Sequence, residues 1–258
     1  MSTWRFETAA GERQGRTPAG RRRGGRCGLR EERGVALVAA LAVMALVAAI
    51  GLGLALTTSL EPLAAASYET SWSARLAAEA GLAAAAHELG AAGDWNAVLG
   101  GELASGVLGR AAVSVELPDG SRAGLQDLTN LATCGHAAAC TDPEAAAFAV
   151  GRPWGPNNPR WRVFGSARLD QVIEAGAGLP PIDIVVWTAD DPAEADGDPL
   201  HDTPPGSTGP RPPGACTVAV RAEAFAPRLG HAAVVGVVTR PGPACRPGAR
   251  LAAWHAFH

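Results

Sequence analysis

The sequence contains no lysine, so all 22 of its basic residues are arginine. Charged residues make up only 18% of the chain and aromatic residues only 5%, which leaves alanine to supply much of the 47% hydrophobic fraction. A composition this poor in charge is too apolar for a disordered chain. The 258 residues suffice for one medium-sized domain and an accessory segment.

Sequence motifs of common enzyme classes are also missing. His87-Glu88 begins a zinc-protease motif, but no second histidine stands at position 91. The chain has neither a Gly-x-Ser-x-Gly nucleophile turn nor a phosphate-binding loop. We therefore predict a protein that is not an enzyme.

The net charge of −3 is unevenly distributed along the chain. Residues 1–34 carry nine Arg and four Glu, a balance of +5, whereas the remaining 224 residues have a balance of −8. A protein that binds phosphate backbones needs its arginines clustered on the folded part. This distribution argues against nucleic acid as a partner.

Residues 35–56 form an uninterrupted apolar run without charge, Asn, Gln or Pro. As a helix rising about 1.5 Å per residue, the run covers the roughly 30 Å hydrocarbon core of a bilayer. Arginines cluster before the run, which predicts a cytoplasmic N-terminus and a C-terminal part across the membrane. The run is longer than the apolar region of a cleaved secretory signal, so an uncleaved signal anchor is the simplest alternative.

At Glu31-Glu32-Arg33-Gly34-Val35 a hydrophilic basic leader meets the apolar run abruptly. This junction resembles the class III leader of type IV pilins and pseudopilins, which is cut after that glycine. Other stretches are similar to segments of PilX-like pilus assembly proteins, and together they cover most of residues 31–240: RGVALVAALAVMALVAAIGLGLAL, ARLAAEAGLAAAAHELG, DWNAVLGG, LPDGSRAGL, RPWGPNNPRWRVF, VVWTADDPAEADGDP and VRAEAFAPR.

The resemblance implies a leader (1–34) that a prepilin peptidase cuts between Gly34 and Val35. It implies a single-pass protein of the bacterial inner membrane with a periplasmic domain, which later joins a pilus or the cell surface. Its partners would be membrane lipid, major and minor pilins and the inner-membrane assembly machinery. The implied function is that of a minor pilin in type IV pilus assembly.

Position five of the mature chain supports a minor rather than a major subunit. Major pilins carry Glu there, whereas this chain has Ala39. A subunit at the tip or in a priming complex fits this difference. K-type pseudopilins of type II secretion systems share it and remain an alternative. A signal-anchored envelope protein that binds a ligand or a metal is the other alternative.

The resemblance also implies a pilin-like α+β fold, with a long helix (35–56 transmembrane, 57–93 amphipathic) packed on an antiparallel sheet. The spacing of apolar residues agrees with the helix, since Leu82 and Leu89 fall on one face. Tyr68, Trp72 and Leu76 form a second set, whose members also share one face of the helix. Pro62 is expected to kink the helix or to mark its emergence from the membrane.

Residues 94–258 form the predicted exported, β-rich domain. Short β-like runs occur at 110–117, 122–125, 161–169, 182–188, 217–225, 232–239 and 250–257. Strands that follow a helix, with no helical crossovers between them, predict an antiparallel α+β sheet. Residues 199–215 are rich in proline and glycine and are predicted to be a loop.

Cysteine usage predicts disulfides. Cys27 lies in the leader, which leaves an even number of cysteines on the oxidising side of the membrane: Cys134, Cys140, Cys216 and Cys245. The pairs Cys134–Cys140 and Cys216–Cys245 are favoured because each closes a local loop. A metal site formed by Cys134, His136 and Cys140 is the alternative, but it has no fourth ligand nearby in the sequence.

An acidic segment with six carboxylates follows a predicted strand at residues 190–202. Glu194, Asp196, Asp198 and Asp202 stand at relative positions 1, 3, 5 and 9, a pattern of oxygen ligands suited to calcium. The segment lacks the glutamate that completes an EF-hand, so a solvated acidic loop is the alternative. No cofactor is required, and calcium is the candidate ion.

Overall fold

The computed structural model describes residues 32–109, 112–148, 157–172, 180–194, 198–202, 215–226, 230–241 and 246–257. The chain divides into two units, Met1–Thr58 and Ser59–His258. A single helix, α1 (Glu32–Ala91), contributes residues to both of them.

In the first unit, α1 is apolar and exposed. Residues Gly34–Thr58 have a mean hydropathy of 2.8, and none of this segment is buried. Its large aliphatic side chains are between 55% and 70% exposed. By length and composition, this helix can serve as a membrane anchor or as a signal sequence. The helix includes Pro62 and continues to Ala91.

In the second unit, α1 buries a stripe of mostly small side chains at helical spacing: Ala74, Ala77, Ala78, Leu82, Ala85 and Leu89. These residues share a hydrophobic cluster with strand residues such as Val186 and Val220. The predicted pair Leu82 and Leu89 therefore faces the core. The other predicted set does not, because Tyr68, Trp72 and Leu76 are 73%, 48% and 48% exposed.

The strands form two antiparallel sheets. A small hairpin contains β1 (Ser114–Glu116) and β2 (Arg122–Gly124). The main sheet has the order β3-β4-β5-β6-β7, with these bounds: β3 Arg162–Arg168, β4 Asp183–Asp190, β5 Thr217–Ala226, β6 Gly230–Thr239 and β7 Arg250–Phe257. The predicted α+β class with an N-terminal apolar helix and an antiparallel sheet is thereby confirmed.

Alternation along the strands gives the main sheet two buried faces. On β5, Val218, Val220, Ala222 and Ala224 belong to the cluster with α1. Ala219 and Phe225 belong to a second cluster on the opposite face, together with Val185 and Trp187 of β4. Strand β4 is buried along nearly its whole length because both of its faces are covered.

Among the described residues beyond position 93, four short helices occur beside the predicted strands and loops. They are α2 (Trp95–Leu99), α3 (Leu125–Cys134), α4 (Asp142–Ala147) and α5 (Leu169–Val172). Leu125, predicted to end a strand, begins α3. Helix α3 packs Leu125 and Leu128 against the second cluster, and its Thr129 hydroxyl accepts a hydrogen bond of 2.9 Å from Trp187 Nε1.

Gly81 lies at a close contact between α1 and the sheet. A Cβ atom there would lie 2.8 Å from Ile184 Cγ2 and 3.3 Å from Val186 Cγ2. We expect Gly81→Val to lower the free energy of unfolding by about 1–3 kcal/mol, because overpacking outweighs the gain in helix propensity of less than about 1 kcal/mol. Thermal unfolding of the full chain in detergent micelles measures the change. Ala83→Val, on the exposed face, is the control, and equal effects of the two substitutions would contradict the close contact.

Candidate functional site

The predicted cleavage junction lies at the beginning of α1. Gly34 and Val35 stand in the first turn of the helix, which begins at Glu32. Val35 is 70% exposed, and apart from its chain neighbours and the backbone of its own helix, no described atom lies within 4 Å of the position that a Cβ of Gly34 would occupy. Residues 1–31 of the leader lie outside the described part of the chain. Cleavage between Gly34 and Val35 stays a prediction.

Cys134 and Cys140 form a disulfide, with their Cα atoms 5.9 Å apart. Cys134 is the last residue of α3, so the bond closes the short connection to α4. Both sulfurs take part in this bond, which favours the predicted disulfide over the alternative metal site with His136. Cys216 also takes part in a disulfide. Cys245, its predicted partner, lies outside the described residues.

We expect alkylation under denaturing, non-reducing conditions to label only Cys27 in the unprocessed chain. Replacing Cys134 and Cys140 together with serine should lower the free energy of unfolding by about 2 kcal/mol, because the bond restricts a short loop in the unfolded chain. Cys27→Ser is the matched control and should leave stability unchanged. Labelling of Cys134 and Cys140 in protein isolated from the envelope would contradict the assignment.

Three buried carboxylates meet where β4 ends. Asp190, Glu194 and Asp202 are 4%, 0% and 4% exposed. One carboxylate oxygen of each lies within 4.8 Å of the other two. We refer to these three residues as the acidic cluster.

Local turns and one long-range contact assemble the acidic cluster. Asp190 is the last residue of β4, and Glu194 follows a turn in which its own N–H donates to Asp191 O at 2.9 Å. Asp202 is held from two sides. Its backbone N–H donates to Asn96 Oδ1 of α2 at 2.8 Å, and its Oδ1 accepts from Cys216 N at 2.6 Å.

The acidic cluster overlaps the predicted calcium ligands only in part. It contains Glu194 and Asp202 of the predicted set and adds Asp190. Asp198 is exposed instead and hydrogen-bonds to His201 Nδ1 at 2.8 Å. Asp196 lies outside the described residues. The alternation of side chains along β4 could have identified Asp190 as a member of the cluster, because this residue ends the strand on the same face as Val186.

Arg240 lies beside the acidic cluster. Its guanidinium stacks 4.3 Å from the centre of the Trp95 ring, and its Nη2 donates to Ala92 O at 2.8 Å. Burial lowers the pKa of Arg240, while the charges of Asp202 and Asp94 act in the opposite direction. Asp202 thus lies near a positive charge. Carboxylate oxygens are the ligands that hard cations take in proteins.

A second buried acid, Glu223, has a different environment. It is 7% exposed and accepts hydrogen bonds from Arg221 Nε at 2.6 Å and His231 Nε2 at 3.0 Å. Burial raises the pKa of Glu223, but the hydrogen bonds and charges of His231 and Arg221 outweigh burial, so the net pKa is lowered. This carboxylate is therefore held by one arginine and one histidine side chain.

The lowered pKa of Glu223 makes folding stability depend on pH. The folded pKa lies below the ordinary value of 4.5, so the carboxylate stabilises the fold above about pH 4.5, and this contribution is lost as the pH falls through the folded pKa. We expect Glu223→Gln to lower stability by about 1.5–3 kcal/mol at pH 7 and to reduce the loss on acidification. Unfolding at pH 7, 5 and 3.5 measures both effects. Glu102→Gln, at an exposed site, is the control, and parallel pH profiles for wild type and Glu223→Gln would refute the assignment.

Comparison with known proteins identifies no relative of this chain. No protein-family model, curated protein or solved structure matches it. The residues of the chain itself therefore carry any functional inference.

Proposed function

We propose that the protein is a non-enzymatic minor pilin-like subunit that takes part in type IV pilus assembly, at the tip or in a priming complex. The composition of α1 is the observation that carries the proposal. Residues Gly34–Thr58 are apolar and exposed, whereas residues of the same helix from Ala74 to Leu89 are buried against a sheet. A subunit that is stored in a membrane and later assembled needs both an apolar segment for the membrane and a segment that attaches the helix to the folded domain.

Small residues along the exposed apolar segment suit helix–helix assembly. Leaving the membrane removes apolar side chains from lipid, and close packing against other helices must compensate for this loss. Small side chains allow backbones to approach closely. Apart from chain neighbours and the helix's own backbone, no described atom lies within 4 Å of the Cβ positions of Gly51 or Gly53. The other small residues that support such contacts are Ala40, Ala42, Ala45, Ala48 and Ala49.

Ala39 favours a minor position in the fibre. A carboxylate inside the bilayer costs a few kcal/mol unless it is paired, and in a major pilin it also helps to set the register between subunits. Ala39 makes membrane residence easier but removes that contact. A subunit used once, at a tip or in a priming complex, does not need the repeating register.

The disulfide between Cys134 and Cys140 supports export. Disulfides persist in oxidising compartments such as the periplasm. Together with the arginine-rich leader, this bond favours an inner-membrane protein with a cytoplasmic N-terminus and a periplasmic C-terminal domain. The proposed partners are membrane lipid, prepilin peptidase, other major and minor pilins and the inner-membrane assembly machinery.

Processing of the leader tests the proposal. In cells with an active prepilin peptidase, we expect the mature chain to begin at Val35 and to keep its apolar helix. Gly34→Leu should leave the 258-residue form in the membrane, because a bulky side chain obstructs the backbone at the cut site. N-terminal sequencing of the protein from the membrane fraction determines the first residue in both cases.

Gly53→Leu is the matched control for this experiment. It places the same side chain on the same exposed helix, again in open space among the described residues, but far from the junction. Its leader should be removed normally. An intact leader in the wild type would exclude the pilin function and leave the signal anchor. Co-purification with secretion pseudopilins instead of pilins would favour a K-type pseudopilin.

A further inference from the structure

The disulfide between Cys134 and Cys140 has two further metal-binding side chains beside it. One ligand atom each of Cys134, His136 and Glu144 lies within 4.8 Å of the other two. Cys140 brings a second sulfur atom to the same place, because it is bonded to Cys134. The sequence offers no fourth ligand close to the two cysteines and His136, and the fold supplies one in Glu144. Two sulfurs, one imidazole and one carboxylate therefore lie together.

The helices on both sides of this loop position the side chains. Cys134 ends α3, and Gly135 follows in the left-handed conformation, with φ of 76°. Glu144 stands in the first turn of α4, where its Oε2 accepts hydrogen bonds from the backbone and the hydroxyl of Thr141 at 2.8 and 2.7 Å. These hydrogen bonds lower the pKa of Glu144, so the carboxylate is charged at neutral pH. Its other oxygen, Oε1, lies 3.9 Å from His136 Nε2.

His136 provides a separate observation that points to a ligand. Its Nδ1 is buried and has no hydrogen-bond partner among the residues that the structure describes. Its Nε2 is too far from Glu144 Oε1, at 3.9 Å, for a hydrogen bond. Two such ligands that bind one tetrahedral zinc ion at about 2.0–2.1 Å lie roughly 3.4 Å apart. A small movement of either side chain would therefore let both bind a shared ion.

We infer that reduction of the Cys134–Cys140 disulfide creates a tetrahedral zinc site formed by Cys134, His136, Cys140 and Glu144. Thiolates, imidazole and carboxylate are the ligands that zinc takes in proteins, and a structural zinc site uses four of them. Calcium and magnesium bind oxygen ligands instead, so two thiolates argue against either ion. The inference does not rest on the role in pilus assembly.

The disulfide and the zinc ion exclude each other, because both use the same two sulfur atoms. A dithiol reductant transfers two electrons and two protons to the disulfide, which yields two protein thiols and the oxidised dithiol. Zinc then displaces the two thiol protons and binds both thiolates. In the opposite direction, a small disulfide oxidant accepts the two electrons and two protons from water. The protein disulfide re-forms and the ion is released.

Zinc binding is tested on the full chain in detergent micelles. The protein is reduced with a dithiol, separated from the reductant without oxygen, and titrated with zinc chloride in competition with a chromophoric chelator. We expect the reduced wild type to bind one more zinc ion per chain than a variant with both Cys134→Ser and Cys140→Ser. Cobalt chloride in place of zinc should give the strong visible absorption of a tetrahedral site and a thiolate charge-transfer band.

Two single substitutions separate ligands from structural residues. His136→Ala and Glu144→Gln should each weaken zinc binding by more than about tenfold, since loss of even an outer partner of a metal ligand costs about 10–100-fold. Glutamine still accepts the capping hydrogen bonds, so Glu144→Gln should not change the melting temperature of the oxidised protein. His201→Ala and Glu102→Gln, at exposed sites, are the matched controls and should bind zinc as the wild type does.

Re-oxidation tests the link between the two states. Addition of a small disulfide oxidant to the zinc-loaded protein should release one zinc ion for each Cys134–Cys140 bond that forms, measured with a zinc-sensitive dye and by thiol alkylation. Bond formation without release of zinc would show that the ion binds elsewhere and would overturn the inference.

The inference also fails if the reduced wild type binds no more zinc than the variant with two serines, or if cobalt gives no tetrahedral thiolate spectrum. It fails equally if either His136→Ala or Glu144→Gln binds zinc as tightly as the reduced wild type. None of these results depends on leader cleavage, so failure here is distinguishable from failure of the pilin proposal.

Discussion

The close contact between α1 and the main sheet determines how the second unit is organised. Alanines on the buried stripe of the helix, and Gly81 among them, allow the backbone to approach β4 and β5 more closely than larger residues would. This contact covers one face of the sheet. The other face requires a separate cover, which α3 and the β1–β2 hairpin provide through Leu125, Leu128 and Val115. The two hydrophobic clusters follow from that arrangement.

Much of this architecture could be predicted from local sequence patterns. The long helix follows from its apolar run, and β5 and β6 follow from alternating valine and alanine bounded by turns. The short helices could not be predicted in the same way. Helix α3 has ten residues and α4 has six, so neither shows enough turns for a clear period. Packing against the second cluster stabilises α3 more than propensity does.

The candidate sites differ in how well the sequence alone predicts them. Cys134 and Cys140 are six positions apart, so the short loop between them could be predicted directly from the sequence. The acidic cluster depends on contacts between distant segments. Asp202 is held by Asn96, which is 106 residues away, whereas Asp198 pairs with the neighbouring His201. Spacing alone gives no reason to choose Asp190 over Asp198, because only the burial of β4 distinguishes them.

The two buried acidic sites show that burial alone does not define a function. Glu223 accepts hydrogen bonds from Arg221 of β5 and His231 of β6. The acidic cluster has Arg240, but that guanidinium also binds the carbonyl of Ala92, next to the end of α1, and stacks on Trp95. The same arginine thus links the end of the helix to the cluster. The arginine therefore stabilises the corner where α1, α2 and the strand ends meet.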